Sequence, residues 1–278
     1  MQIDELLLKT TIRIETTTKK GISTGTGFFY SFFHDDSSGK SIPVIVTNKH
    51  VVEGAILGRL QFSVRDKKGN IIEGKGYRVE IRDFETKWIM HPEADIDLCI
   101  LPIASIHREL EQTPYELHYT CLTSDNIINQ DEIREQLSLV EDITVVGYPD
   151  GIWDAHNNLP IVRRGITATP LQYDFQNQPK YLIDAAIYGG SSGSPVFIFN
   201  QGMFNLKGNL MAGNRMYLVG IVYAVAQHSV TGEITIVDVP AANTPISLTN
   251  IPNNLGAVIK ACKLIDFEAV LLNPPPTD

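Results

Sequence analysis

Cysteine is scarce in this chain, with only Cys99, Cys121 and Cys262 among 278 residues. An odd number of cysteines without paired spacing argues against a disulfide framework and against a zinc site. Cys99 and Cys262 lie in apolar runs, which favours buried thiols. We therefore expect neither a disulfide-stapled fold nor a metal site.

Long apolar runs and an excess of basic residues are also missing. No stretch approaches the length of a membrane span, and no basic segment followed by an apolar one opens the chain. We therefore expect a cytoplasmic protein that does not associate with membranes. The net charge of −9 argues against a broad nucleic-acid-binding surface.

Short β-type runs bounded by turn residues dominate the sequence, and this pattern favours a sandwich or a barrel. The runs are Thr10–Glu15, Gly25–Phe33, Val44–Thr47, Leu60–Val64, Asp97–Leu101, Ile143–Gly147, Leu218–Tyr223 and Ile234–Val237. A polar, acidic stretch that ends at Glu141 separates two groups of these runs. The length of the chain permits two packed halves.

A helix is predicted near the end of the chain, with Asn253 or Asn254 as its N-cap. Its apolar face would consist of Leu255, Val258, Ile259, Cys262 and Ile265. A frayed tail is expected from Asn273. The predicted units are an N-terminal one over 1–110, a connector over 111–141, a C-terminal one over 142–252, and a helix with tail over 253–278.

The segment 184–196, DAAIYGGSSGSPV, places a serine in a tight turn. Gly190 and Gly193 flank Ser191 and Ser192, and Pro195 ends the turn at a strand edge. Such a turn exposes a hydroxyl while neighbouring backbone N–H groups converge, as an oxyanion hole requires. A flexible Gly/Ser loop is the alternative, but this loop is short and lies between two apolar runs.

The pattern Gly190-x-Ser192-Gly193-x-Pro195 resembles the nucleophile segment of chymotrypsin-like serine proteases. The longer run from Asp184 is similar to bacterial HtrA/Deg proteases, and Ser194 is more similar to glutamyl endopeptidases. The resemblance covers roughly residues 10 to 265. It implies an all-β fold, a chymotrypsin-like double β-barrel with a C-terminal helix.

A candidate general base follows an apolar strand in the run VIVTNKHVV, which ends at Val52 and contains His50. This run resembles the family's "V-T-x-x-H-V-V", and Gly25–Phe29 matches its "G-x-G-F" strand. A lone histidine after a strand is usually structural, but its place in this motif favours catalysis. Lys49 departs from the family, and we expect its amine to point away from the imidazole, whose pKa it would otherwise lower.

The candidate acids are Asp95 and Asp97. Asp97 fits the family register "D-L-A-V-L", whereas choosing Asp95 would put the Asp97 charge at a small buried position. Asp97 is therefore preferred, and the order His50, Asp97, Ser192 is the chymotrypsin order.

The resemblance implies a serine endopeptidase in which Ser192 Oγ attacks a peptide carbonyl and His50 carries the proton. The N–H groups of Gly190 and Ser192 would hold the oxyanion. This chemistry needs no metal and no organic cofactor. A catalytically silent protease-like binding module is the alternative from another class.

Five residues are candidates for substrate binding. Ala186 and Ile187 carry no charge at the expected floor of the specificity pocket, which disfavours an Arg/Lys-selective site. The strand Leu218–Val225 resembles the family's substrate-pairing strand, which implies that Tyr223, Ala224 and Val225 pair with substrate backbone by β-augmentation. We expect a small or medium apolar side chain before the scissile bond, although each of the five also suits a plain core role.

Ser191 stands where secreted trypsin-like enzymes carry the aspartate that captures a newly cut N-terminus. We therefore expect activity to depend on ordering of the oxyanion loop through Gly147–Asp154 and Arg163–Ile166, with an activating partner or an oligomer as the ordering agent. The expected substrate is a protein or peptide. A selective intracellular bacterial protease and a viral or phage protease remain alternatives in role.

Overall fold

The computed structural model of the chain describes residues 3–35, 40–230 and 249–272. The predicted strand Ile234–Val237 and the predicted tail from Asn273 lie outside these residues.

The first half of the chain forms one antiparallel sheet of eight strands, in the order β5-β4-β1-β2-β3-β7-β6 with β8 paired to β4. Its strands are β1 (Thr11–Thr18), β2 (Gly21–Asp35), β3 (Lys40–Thr47), β4 (Leu57–Asp66), β5 (Ile71–Arg82), β6 (Ile89–Met90), β7 (Cys99–Pro102) and β8 (Tyr115–His118). Alternation along β1 buries Ile12 and Ile14 on one face. That face carries a core shared with Phe29, Ile45 and Leu60, around which the sheet wraps.

The second half closes into a six-stranded barrel in the order β10-β11-β16-β15-β12-β9. Its strands are β9 (Asp142–Gly147), β10 (Ile161–Thr167), β11 (Lys180–Ala185), β12 (Pro195–Asn200), β15 (Arg215–Val230) and β16 (Thr249–Lys260). A hairpin of β13 (Met203–Leu206) and β14 (Asn209–Ala212) projects between β12 and β15. Closure gives each of these six strands a hydrogen-bonded neighbour on both sides over at least part of its length.

In the residues that the structure describes, five short α-helices accompany the strands: α1 (Ile3–Lys9), α2 (Lys49–Val52), α3 (Ala104–Leu110), α4 (Gln130–Gln136) and α5 (Phe267–Leu272). Asn129 caps α4, since its side chain accepts hydrogen bonds from the N–H groups of Asp131 and Glu132. No helix in the described ranges is both long and apolar enough to cross a membrane.

One apolar core lies between the two halves and draws residues from both. Phe28, Tyr30 and Val46 of the first sheet share it with Phe197 and Leu218 of the barrel, all at most 1% exposed. Leu7 of α1 and Phe267 of α5 belong to the same cluster. Both ends of the described chain are therefore packed against the junction of the halves.

The arrangement confirms the all-β, chymotrypsin-like fold with a C-terminal helix, and it corrects the position of that helix. The segment from Leu255 to Lys260, predicted as helical, belongs to β16, and a 3-10 turn follows at Ala261–Leu264 before α5 begins at Phe267. The apolar spacing suits a helix, but β11 and β15 both pair with this segment. Barrel closure overrides the local pattern.

The predicted connector over 111–141 is not wholly outside the sheets. Its residues Tyr115–His118 form β8, which pairs with Ser63–Asp66 of β4. Leu122 then bridges to Tyr30, and Ile127 bridges to Leu218 of β15. The segment thus passes from the first sheet to the barrel while hydrogen-bonded to each.

Candidate active site

The serine turn joins β11 to β12 and is fixed from both halves of the molecule. Ser192 O accepts a hydrogen bond from Thr26 N of β2 at 2.9 Å, and Gly193 N donates to Val222 O of β15 at 2.8 Å. Gly193 has φ +85°, and a Cβ there would lie 1.9 Å from Thr26 O. Only glycine permits this approach of the two backbones.

His50 and Asp97 are brought together as predicted. His50 Nδ1 lies 2.6 Å from Asp97 Oδ2, and the backbone N–H of His50 donates to Asp97 Oδ1 at 3.1 Å. Asn48 Nδ2 donates to Asp97 O at 2.7 Å and so holds the backbone of the acid. Because a carboxylate accepts at Nδ1, the neutral imidazole carries its proton there and leaves Nε2 as an acceptor.

Asp95, the other candidate acid, and Lys49, the departure from the family motif, also have defined positions beside this pair. Asp95 is exposed and forms no hydrogen bond with His50 in the described part of the chain. Lys49 Nζ donates to Glu93 O and Ala94 O, each at 3.1 Å. The Lys49 amine therefore binds the loop that carries Asp97 and not the imidazole, as the sequence argument expected.

Thr26 links the serine turn to the histidine element. Its carbonyl oxygen accepts from Thr47 Oγ1 at 2.7 Å, and Thr47 is the last residue of β3, three positions before His50. Within the described residues, the Ser192 hydroxyl has no hydrogen bond to His50. Catalytic hydrogen bonds of this kind are often long without substrate, and the Ser192–His50 contact stays a prediction.

The two predicted oxyanion donors have no hydrogen-bond acceptor within the described part of the chain. Gly189 O accepts from Asp150 N at 2.6 Å, and Ser191 O accepts from Ser194 N at 3.0 Å. In a trans peptide the N–H points opposite to the C=O, so the N–H groups of Gly190 and Ser192 point away from these donors. Neither N–H has an acceptor among the described residues.

Position 190 requires glycine, because a side chain there would collide with neighbouring backbone. Its φ is +77°, and a Cβ would lie 2.5 Å from Tyr148 O. Its carbonyl oxygen accepts from Thr26 Oγ1 at 2.9 Å, and the same hydroxyl accepts from Tyr148 N at 3.0 Å. The predicted ordering segment Gly147–Asp154 therefore contacts the oxyanion loop directly.

The second predicted ordering segment contacts the same loop through Arg163. Its Nη1 donates to Ala186 O at 2.6 Å and to Ser191 Oγ at 3.0 Å. Burial lowers the pKa of the Arg163 guanidinium to about 10, while the nearby Tyr188 and Asp150 act in the opposite direction. The group stays cationic at neutral pH.

The candidate substrate residues occupy different environments. Ala186 is half-buried, whereas Ile187 is fully buried in the barrel core. Tyr223 sits at a bulge of β15, with the half-buried Ala224 after it. The side chain of Val225 lies outside the described part. Contact of these five residues with substrate stays a prediction.

Several residues of the site were not identified from the sequence. Thr26, Thr47 and Asn48 act through hydrogen bonds to partners far along the chain, and Arg163 was noted only as part of a segment. The one available signal was that Thr26 lies in the "G-x-G-F" strand. In the described ranges, no cluster of three or more His, Cys, Asp or Glu side chains is arranged to hold a metal ion.

The family model described as "Trypsin-like peptidase domain" matches residues 25–204, which is more than half of the chain. His50, Asp97 and Ser192 all fall within the matched range. A comparison with curated proteins finds no match.

Several solved structures are similar to the chain at low sequence identity. The HtrA-type protease AlgW with tripeptide aligns with a TM-score of 0.50 and 14% identity, over 97% of this chain and 62% of that chain. The inactive form of a serine-to-alanine mutant of Rv3671c from M. tuberculosis H37Rv aligns with a TM-score of 0.47 and 14% identity, over 99% of this chain and 92% of that chain. A serine endoprotease from Yersinia pestis aligns with a TM-score of 0.47 and 15% identity, over 97% of this chain and 65% of that chain.

Proposed function

The chain belongs to the trypsin-like peptidase family and is a serine endopeptidase, and from this premise we propose that it cleaves peptide bonds with a triad of His50, Asp97 and Ser192. The observation that carries the proposal is the 2.6 Å contact between His50 Nδ1 and Asp97 Oδ2. Thr26 connects this pair to the serine turn, because it is hydrogen-bonded both to Thr47, shortly before His50, and to Ser192. Nucleophile, base and acid then stand in the roles that this chemistry requires.

Catalysis would begin with transfer of the Ser192 hydroxyl proton to His50 Nε2 as Oγ bonds to the substrate carbonyl carbon. Asp97 holds the imidazole tautomer and stabilises the imidazolium. The negative charge that develops on the carbonyl oxygen is met by the N–H groups of Gly190 and Ser192. His50 then gives the proton to the leaving amine, and water hydrolyses the acyl-enzyme by the same route in reverse.

The substrate is a protein or peptide with a small or medium apolar residue before the scissile bond. Ala186 supports this preference because it brings no charge to the expected pocket. The register of β15 with β12 ends at Ile221 whereas β15 continues past Tyr223, which supports pairing of this later part of β15 with substrate backbone. A cytoplasmic location, a regulatory role in a bacterial cell and an activating partner or oligomer are parts of the same proposal that rest on the sequence.

A fluorophosphonate probe tests the triad on the full chain. We expect the native protein and a Ser105→Ala control, which changes an exposed serine of α3, to be labelled equally, and Ser192→Ala to be unlabelled. A library of peptides then reports the residue preferred before the cut. Absence of both labelling and cleavage in the native protein would favour the catalytically silent binding module.

A further inference from the structure

Arg163 reaches from β10 to the base of the oxyanion loop. A single nitrogen, Nη1, donates to Ala186 O at 2.6 Å and to Ser191 Oγ at 3.0 Å. Ser191 Oγ also accepts from Tyr188 N at 3.3 Å. The guanidinium therefore joins the two ends of the turn 186–191, which contains Gly190 and is followed directly by Ser192, the two proposed oxyanion donors.

This cation is held in an unfavourable environment. Its Nε and Nη2 atoms are buried without a hydrogen-bond partner in the described part of the chain. No ion pair between Arg163 and a carboxylate is found in the described ranges, although the charge of the nearby Asp150 favours the cation. A buried charge that lacks an ionic partner costs stability, and an apolar side chain of similar size would suit a purely structural position better.

The hydroxyl that accepts from Arg163 belongs to a residue whose position has a known role in related enzymes. By family resemblance, Ser191 stands where secreted trypsin-like enzymes have an aspartate that captures a new N-terminal ammonium group. Here the neutral hydroxyl of Ser191, 0% exposed, receives instead a cation supplied from within the chain. No cleavage is needed to create that cation.

We propose that Arg163 is the positioning residue of the oxyanion loop, an internal cation that replaces a processed N-terminus. The proposal rests on the proposed function and deepens it. Arg163 fixes the loop at Ala186 and Ser191, while Asp150 N and Thr26 Oγ1 fix the carbonyl groups of Gly189 and Gly190. With all of these points held, the N–H groups of Gly190 and Ser192 are presented before substrate arrives.

Loss of this contact should act on the transition state more than on substrate binding. The oxyanion exists only during reaction, so a misplaced donor lowers kcat and leaves KM nearly unchanged. A residue that merely stabilises the fold would instead lower the melting temperature and the fraction of active protein, with kcat per active site preserved.

The test compares Arg163→Met with Arg164→Met, a matched control on the adjacent, exposed residue of β10. We expect Arg163→Met to lower kcat per folded molecule by about 10²- to 10³-fold with KM within about twofold, the loss typical of one oxyanion donor. Arg164→Met should leave both unchanged. Methylguanidine added to Arg163→Ala should restore part of kcat, and Arg163→Lys should retain part of it.

Two further measurements separate this proposal from the proposed function. Hydrogen exchange at the amides of residues 186–192 needs no catalysis, and Arg163→Met but not Arg164→Met should accelerate it. Ser191→Ala combined with Arg163→Met should be no slower than the worse single variant, because both break one contact. Unchanged exchange, or kcat equal to that of Arg164→Met, overturns the role of Arg163, whereas an unlabelled native protein overturns the function itself.

Discussion

The hydroxyl of Thr26, in the second strand of the chain, donates to the carbonyl oxygen of Gly190 at 2.9 Å across a sequence separation of 164 residues. The backbone of Thr26 also donates to Ser192 O and accepts from Thr47. One buried residue of the first half thus contacts both the nucleophile segment and the strand that leads to His50.

Replacing Thr26 with valine should slow acylation without unfolding the protein. The change keeps the shape of the side chain but leaves Gly190 O and Tyr148 N, both partners of the hydroxyl, without it. An unsatisfied buried group costs about 1–3 kcal/mol. We expect the rate of probe labelling, measured from reactions quenched at successive times, to fall by about 10-fold or more. Thr26→Ser, which keeps the hydroxyl, should be labelled at nearly the native rate. A native rate in Thr26→Val would show that the hydroxyl does not position the loop.

Asp97→Asn should nearly abolish turnover. An amide can offer an N–H where the imidazole requires an acceptor, so the wrong tautomer is favoured, at a cost of about 10⁴ in kcat. Asp95→Asn is the matched control, since Asp95 is exposed two residues earlier in the same loop. Steady-state hydrolysis of a peptide substrate measures both variants. Equal losses in the two would contradict the assignment of the acid.

Gly190→Ala should inactivate the enzyme, and Gly189→Ala should not. A Cβ on Gly190 would lie 2.5 Å from Tyr148 O at φ +77°, whereas a Cβ on Gly189 meets nothing closer than Asp150 Oδ1 at 3.5 Å. Displacement of the Gly190 N–H corresponds to a loss of about 10²–10³ in rate. The ratio of the two kcat values reports this difference, and comparable values would place the oxyanion donor elsewhere.

Removal of Glu141 from its buried ion pair with Arg215 should strongly destabilise the protein. Each side chain is 5% exposed, and Arg215 Nη2 lies 2.8 Å from Glu141 Oε2. Glu141→Leu leaves the buried guanidinium without its carboxylate, for which we expect a loss of about 3–5 kcal/mol in the free energy of unfolding. Glu116→Leu breaks the exposed pair with Arg65 and should cost at most about 1 kcal/mol. Urea denaturation of both variants checks the contrast.

Acid should destabilise the first half through two histidines. Burial lowers the pKa of His107, and burial followed by the charges of Lys9 and Arg65 lowers the pKa of His118. Folding then favours their neutral forms, so this contribution is complete above the unfolded pKa of about 6.5 and is lost as pH falls below it. Urea midpoints at about pH 7.5 and about pH 5.5 should differ less in His107→Gln/His118→Gln than in the native protein. His156→Gln, at an exposed position, should leave the difference as it is.

The candidate site residues predicted from the sequence are those whose chemistry is carried by local motifs. His50 after an apolar strand, Asp97 in its register and Ser192 between glycines are each recognisable within a few neighbours. The repeated strands favour a sandwich or a barrel, and the family resemblance implies the double barrel. The contact between His50 and Asp97 is found as predicted. The roles of the candidate substrate residues remain predictions, because they depend on a ligand.

The residues that support the site were predicted only in part, for a physical reason. Arg163 was included in a predicted ordering segment and Thr26 lies in a family motif, but their individual contacts were not predicted. Thr26, Asn48 and Arg163 act on partners 21 to 164 positions away, which local sequence patterns do not specify. The helix predicted over Leu255–Ile259, which is a strand in the structure, was wrong because a local pattern was present but was overridden. Leu255, Val258 and Ile259 satisfy a helical spacing locally, yet two strands of the barrel offer this segment hydrogen bonds on both sides.

Closure of the barrel by β16 has a consequence for biosynthesis. A nascent chain exposes His50 and Asp97 first and Ser192 much later, and the ring that supports the serine turn stays open until residues up to Lys260 have left the ribosome. If the proposed triad is correct, the growing polypeptide would hold its base and its acid before the barrel that supports the serine turn can close. The proposed active site would then be completed only when β16 joins the barrel.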